Sequence, residues 1–212
     1  MIIAIDGAST DLSIALTEPS GAVIGEVGWS SAQRQSAELL PRLLDLLESH
    51  ARRIDEATAF AVGTGPGSFT GLRVAMALAK GFAVALGRPL VGVPSLPAWL
   101  EADPEVRAAI ARAGAREAYV LMRGGDGPHI IDRDDLAAAL GEAPVAAAVE
   151  LAGAFGLRAA RSPVAAAAIA RSAADRLRDD PAGDDLRLLQ PIYLRAPRGV
   201  PSSAEPGVIR WL

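Results

Sequence analysis

The chain has 212 residues, half of them apolar and 22% charged, with a net charge of −4. That composition supports a packed core and excludes global disorder, while the acidic balance and only 4% aromatic residues argue against strong direct binding to nucleic acid. No cysteine is present, which excludes disulfides, thiolate catalysis and cysteine-ligated zinc, and only His50 and His129 could supply imidazole.

Met1 leads directly into IIAID with no basic segment or cleavage site, so no signal peptide is expected. IIAID (2–6), LSIAL (12–16) and AVIGEVGW (22–29) read as strands joined by the turns GASTD and EPSG, hence an antiparallel meander. A helix follows over 36–49, with Ser36 as N-cap and Pro41 near its first turn. Its leucines cover a face wider than the ~100° stripe of an ordinary surface helix, which fits either deep burial or a waiting partner. ATAFAVG (57–63) reads as a central strand, 69–86 as a helix stopped by Gly87 and Pro89, and LVGV (90–93) as a buried strand. Arg73, Lys80 and Gly81 interrupt the second helix, which is expected to be too short to span a bilayer. PSLPAWLE (94–101) starts a further helix or crossover. The order is a meander followed by βαβ crossovers.

Beyond a boundary near residues 95–105 the pattern is less regular. AYVLMR (118–123) and PHIID (128–132) read as a hairpin around GGDG, and 132–141 as a short helix. VAAAV (145–149) fits strand or helix equally. Residues 162–179 read as a helix with Ser162 as N-cap and Pro163 at its first position. The last 24 residues read as loop or tail, and no residue-level repeat links the two halves.

The stretch GTGPGSFTGLR (63–73) sits between a buried strand and a helix, the setting of an anion site. Its spacing fits none of the usual ones. Gly71 is followed by Leu72 and Arg73 rather than by the Lys and hydroxyl of a Walker loop. Gly65, Gly67 and Gly71 are one residue too long for a dinucleotide loop, and the strand ending at Val93 lacks an acid for a ribose. Ser68 is not in a nucleophile elbow and has no base near it in sequence, which leaves a peptidase little support. What remains is a tight entry shaped by Gly65, Pro66 and Gly67, a cap from Ser68 or Thr70, and a row of small residues at Gly71, Ala75, Ala79 and Ala83. That row suits close packing, either on the chain's own sheet or on a partner helix. Asp6 ends the first strand before a Gly/Ser/Thr turn, as in the phosphate hairpin of actin-like sugar kinases. A second such hairpin is not visible, GGDG being a poor candidate, so Asp6 reads as structural first and as a catalytic acid second.

IDGASTDLSIAL, QSAELLPRLLDLL and AVGTGPGSFTGLRVAMALAKGFAVALGRPLVGVPSL resemble the bacterial TsaB (YeaZ) family, over about residues 1–97. The resemblance implies an α/β, actin-like, ribonuclease-H-like fold of two subdomains, 1–97 and 98–212, each with a mixed sheet flanked by helices. It implies a non-catalytic scaffold subunit in the synthesis of N6-threonylcarbamoyladenosine in tRNA. Such a subunit would be cytoplasmic, away from membranes, would pair with the catalytic TsaD paralogue and the TsaE ATPase, would form a homodimer when alone, and would meet tRNA only through the complex. The alternative is an actin-like small-molecule kinase or ATPase using Asp6. The resemblance places the pairing surface on the two N-terminal helices. The candidates are Ser36, Leu39, Leu40, Leu43 and Leu47 on the first, and Gly67, Ser68, Phe69, Gly71, Leu72, Ala75, Met76 and Ala79 on the loop and second. No cofactor or metal is expected in the isolated chain. ATP or ADP would belong to the interface of the assembled complex, with Asp6, Ser68, Thr70 and Arg73 as candidate contacts.

Overall fold

The computed structural model describes residues 1–31, 34–192 and 194. Most of the stretch expected as a tail lies outside the described residues.

The first half contains β1 (Ile2–Asp6), β2 (Asp11–Thr17), β3 (Val23–Ser30), α1 (Gln35–Ser49), a 3-10 turn at Ile54–Glu56, β4 (Ala59–Gly63), α2 (Phe69–Leu86), β5 (Leu90–Val93) and α3 (Ser95–Ala102). Its sheet has the order β3-β2-β1-β4-β5. The meander is antiparallel, and β4 and β5 join in parallel through helical crossovers. The second half contains β6 (Ala108–Arg112), β7 (Glu117–Met122), β8 (His129–Asp132), α4 (Arg133–Leu140), β9 (Val145–Ala147), α5 (Val149–Phe155), β10 (Ala160–Arg161) and α6 (Ala166–Asp179). Its sheet has the order β10-β9-β6-β7-β8, with β6-β7-β8 antiparallel and β9 and β10 parallel to β6. Read from the other edge this is the order of the first sheet, so the two halves repeat each other element for element although no sequence repeat is visible. This is the two-sheet, actin-like arrangement that the resemblance implies.

Side-chain alternation along the strands sorts the core into layers. Ile3, Ile5, Leu12, Ile14 and Leu16 point to one side of the first sheet, under α1 and α2. Ile2, Ala4, Ala15 and Ala61 point to the other, where Ala166, Ile169, Ala170 and Ala173 of α6 meet them. Both faces of that contact are alanine-rich, so helix and sheet approach closely, and the abundance of alanine in the sequence acquires a structural use. α3 packs beside α6 and against β6, and Tyr119 and Leu121 of β7 close this central layer from the second sheet. Leu136, Leu140, Leu151 and Phe155 of α4 and α5 cover the outer face of the second sheet. The first sheet ends at Val93 and the second begins at Ala108, on either side of the expected boundary, but α6 returns from the second half to the first sheet.

Several local expectations change. VAAAV is both possibilities in turn, a strand to Ala147 and a helix from Val149. β6 carries no polar alternation, being buried on both faces, and was not visible as a strand. Ser36 lies inside the first turn of α1, whose N-cap position is Arg34 without a side-chain cap. α6 starts four residues after Ser162, which does not cap it. Ser13 Oγ accepts hydrogen bonds from the N–H groups of Ala165 and Ala166, and Glu26 Oε1 accepts one from Ala167 at 2.8 Å. The free N–H groups of this helix are therefore satisfied across the molecule by β2 and β3. α2 is long and apolar enough to cross a membrane by length and composition alone, contrary to the expectation. Its Gly71, Leu72, Ala75, Met76, Ala79 and Ala83 are instead buried in the protein.

Candidate functional site

The loop before α2 docks onto the β1–β2 turn, and its glycines are there because no side chain would fit. A Cβ on Gly67 would stand 1.9 Å from the carbonyl oxygen of Ala8, and one on Gly71 would stand 2.2 Å from that of Gly7. A Cβ on Gly63 would meet Asp6 Oδ1 at 2.1 Å. Gly65 has φ +89°, in the left-handed region that glycine tolerates. Ser68 N–H donates to Ala8 O at 2.7 Å, and Ser68 Oγ accepts from Gly71 N–H at 3.2 Å, which makes Ser68 the cap of α2. Gly87 closes the helix in the left-handed conformation.

Asp6 lies beneath this junction, 2% exposed. Its Oδ1 accepts from Ala8 N–H at 3.2 Å and from the Ser95 hydroxyl at 2.9 Å, and its Oδ2 accepts from Trp99 Nε1–H at 2.6 Å. The Ser95 hydroxyl in turn accepts from Gly65 N–H at 3.1 Å. The carboxylate thus ties β1, α3 and the glycine loop together from inside. Burial pushes its pKa above the ordinary 3.8, and the hydrogen bonds from Trp99 and Ser95 oppose that rise. Asp6 was a candidate nucleotide contact; both oxygens are turned inward and engaged, so that expectation does not fit the geometry. Ser95 and Trp99 were not foreseen as its partners.

A cleft of about 350 Å³ opens between the β1–β2 turn, the start of α2, the β6–β7 turn and the start of α5. Its walls are mostly apolar, with Ala8, Ala111, Ala113, Ala148 and Leu151, and the hydroxyls of Thr10 and Ser68 lie among them. The repeated topology shows that the counterpart of the β1–β2 turn is the β6–β7 turn, Ala113–Arg116, and not GGDG. There Arg112 stands where β1 has Asp6, at the last position of the strand. Its guanidinium donates to Glu150 Oε1 at 2.9 Å, so the cationic side chain lining the cleft is already paired with an acid. His50 is bonded to Leu46 O under β3, and His129 lies on β8; neither lines this cleft with Ser68.

Of the other candidate nucleotide contacts, Ser68 is half-buried, while Thr70 and Arg73 are exposed on the first turn of α2. The Arg73 guanidinium lies 3.8 Å over the Phe69 ring. The candidate pairing residues divide in two. Leu39, Leu43, Leu47, Gly71, Leu72, Ala75, Met76 and Ala79 are buried in the chain's own core, so the row of small residues serves the β1 turn and the sheet, not a second molecule. Gly67 fits against Ala8 in the same way. Ser36, Leu40 and Phe69 are exposed. The outward face of the same two helices carries a different apolar set: Leu40 (39% exposed), Leu44 (49%), Phe69 (41%) and Val84 (69%), with the small Ala77 and Gly81 between. Most of the candidate pairing residues thus face inward, and the side chains these two helices turn outward are largely a different set.

A family model described as TsaD, tRNA N6-adenosine threonylcarbamoyltransferase, matches residues 18–175. The chain belongs to the TsaD family. Within it the resemblance to TsaB holds. The tRNA threonylcarbamoyladenosine biosynthesis protein TsaB of Escherichia coli K12 is 34% identical over 96 residues, 45% of this chain and 40% of that protein. The chain spans less than half the length of the curated relatives it matches. YeaZ from Pseudomonas aeruginosa superposes with a TM-score of 0.65 at 21% identity, covering 91% of this chain and 99% of that one. A further P. aeruginosa protein, described as similar to peptidase YeaZ, gives 0.68 at 24% identity over 92% and 99%. These two structures establish that the family member described here has the same fold along nearly its whole length.

Proposed function

We propose that the chain is a non-catalytic subunit of the machinery that makes N6-threonylcarbamoyladenosine in tRNA, pairing with a TsaD-like catalytic chain. The observation that carries this reading is the sealed Asp6. The acid that would have to face metal-bound ATP in a kinase is buried and holds three N–H or O–H donors of its own chain. The paired Arg112 in the cleft is consistent with the same conclusion. The outward apolar face of α1 and α2 supplies the kind of surface a partner helix pair would cover. On this reading a TsaE-like ATPase joins the pair, ATP or ADP meets Ser68, Thr70 and Arg73 only at the assembled interface, and the chain works in the cytoplasm. Without its partner it pairs with itself through the same face.

The test is association. The purified chain and a TsaD-like chain are mixed at micromolar concentration and followed by sedimentation velocity, with and without ATP and a TsaE-like ATPase. A complex is expected; two chains that stay apart in every mixture overturn the reading. Magnesium-dependent ATP turnover by the isolated chain, lost on Asp6→Asn, would replace it with the kinase alternative.

A further inference from the structure

After α6 the chain turns back along the free edge of β5. Gly183, at φ +70°, comes so close to β5 that a Cβ there would stand 2.8 Å from Leu90 O. Asp184 N–H donates to Leu90 O at 2.9 Å, and Asp184 Oδ2 accepts from Gly92 N–H at 2.7 Å. Arg176 of α6 donates to Gly92 O at 2.8 Å and pairs with the same Asp184 carboxylate. Side chains thus satisfy both edge groups of Gly92 as a neighbouring strand would. Farther on, Leu189 O accepts from Nζ of Lys80, the only lysine in the chain, at 2.6 Å. Ile192 N–H donates to Thr64 O at 2.8 Å, at the entry to the glycine loop. Leu186 and Leu189 pack against the core under α1 and α2.

We propose that residues 183–192 form a strap that positions the glycine loop and α2, so that Lys80 and Asp184 set the geometry of the surface the chain offers to a partner. The pairing half of this inference rests on the function proposed above. The strap joins the two structures that make that surface: Lys80 anchors it to α2, and Ile192 to the residue before Gly65. Asp184 fixes where the strap begins, because one residue binds the β5 backbone through both its N–H and its carboxylate.

The test uses the full chain with Lys80→Met and Asp184→Ala, Lys80→Arg as the conservative variant, and Leu140→Ala as a destabilised control in the second sheet's core. Amide hydrogen exchange over 63–72 is the first readout and needs no partner. Exchange is expected to rise about tenfold in Lys80→Met and Asp184→Ala, the size of one lost charge-assisted hydrogen bond, and to return toward wild type in Lys80→Arg. Affinity for the TsaD-like chain, measured well below each melting temperature, is the second readout and should fall by a similar factor in the same two variants. It should hold in the Leu140→Ala control, which a merely structural role would not spare. Unchanged protection in both strap variants, or an equal loss of affinity in the control, overturns the strap. A wild-type chain that binds no TsaD-like partner refutes the function reading instead, and the exchange measurement then decides the strap alone.

Discussion

Replacing Asp6 with Asn keeps the side chain's volume and changes only what it can accept. In the wild type Oδ1 receives the Ala8 N–H and the Ser95 hydroxyl, and Oδ2 receives the Trp99 indole N–H at 2.6 Å. An amide has one oxygen. Placed toward Ser95, it turns its NH₂ against the indole N–H; placed toward Trp99, it turns the NH₂ against Ala8 and Ser95. Either way a buried donor loses its acceptor, at about 1–3 kcal/mol, and charge-assisted bonds worth about 1.5–3 kcal/mol are given up. Relief from burying a charge offsets part of this, leaving a net loss of about 2 kcal/mol. For a chain of this size that lowers the melting temperature by about 4–8 °C. Thermal unfolding by circular dichroism at neutral pH measures it. Trp99→Phe removes the conflicting donor, so Asp6→Asn with Trp99→Phe should lose about 1 kcal/mol less than the sum of the single variants. An Asp6→Asn protein within about 0.5 kcal/mol of wild type, or strictly additive effects, would refute the inward-facing carboxylate.

The same acid gives a pH dependence of definite sign. Because burial raises its pKa above the ordinary 3.8, the folded chain keeps a proton that the unfolded chain has released, and this contribution to stability declines as pH rises from there through the folded value. The stability gap between wild type and Asp6→Asn should therefore narrow with rising pH in urea titrations; a gap that widens contradicts the raised pKa. Gly67→Ala drives a methyl into the Ala8 carbonyl and should destabilise by about 2 kcal/mol or more, whereas a methyl on Gly81, inside α2, meets nothing, so Gly81→Ala should stabilise by about 0.5–1 kcal/mol, both read from urea midpoints. Ala77→Arg and Leu44→Glu lie on the outward face and should leave the melting temperature nearly unchanged while abolishing association with a TsaD-like chain by sedimentation. Retained association in both would move the partner elsewhere.

The N-terminal meander, the crossovers and the stop at Gly87 were legible because turn residues and β-branched runs mark them locally. The sides of α1 and α2 were not. The leucines of α1 and the small residues of α2 have the periodicity of an interface, but periodicity does not distinguish a chain's own sheet from another molecule. What decides is the β1–β2 turn, whose backbone at Gly7 and Ala8 occupies the space that the glycines leave. The Asp6 cage was hidden for a different reason: its partners Ser95 and Trp99 are 89 and 93 residues away in sequence. The second hairpin was not visible because AGAR lacks the turn chemistry of DGAST, and only the pairing of β6 with β7 identifies it. Ser162 had the context of an N-cap, yet its hydroxyl donates to Asp11 Oδ2, which also accepts from Val149 N–H.

The return of α6 to the first sheet also bears on how the chain is made. The alanine-faced side of β1, β2, β4 and β5 is covered by a helix that begins at Ala166. On a ribosome, the first sheet could be paired and covered by α1 and α2 long before that helix emerged, and its other face would stay open to water until residues 166–179 were made. An emerging chain would therefore carry a half-finished first sheet through the synthesis of every strand of the second, and the first sheet would be completed by the docking of a later helix, not by the collapse of an early domain.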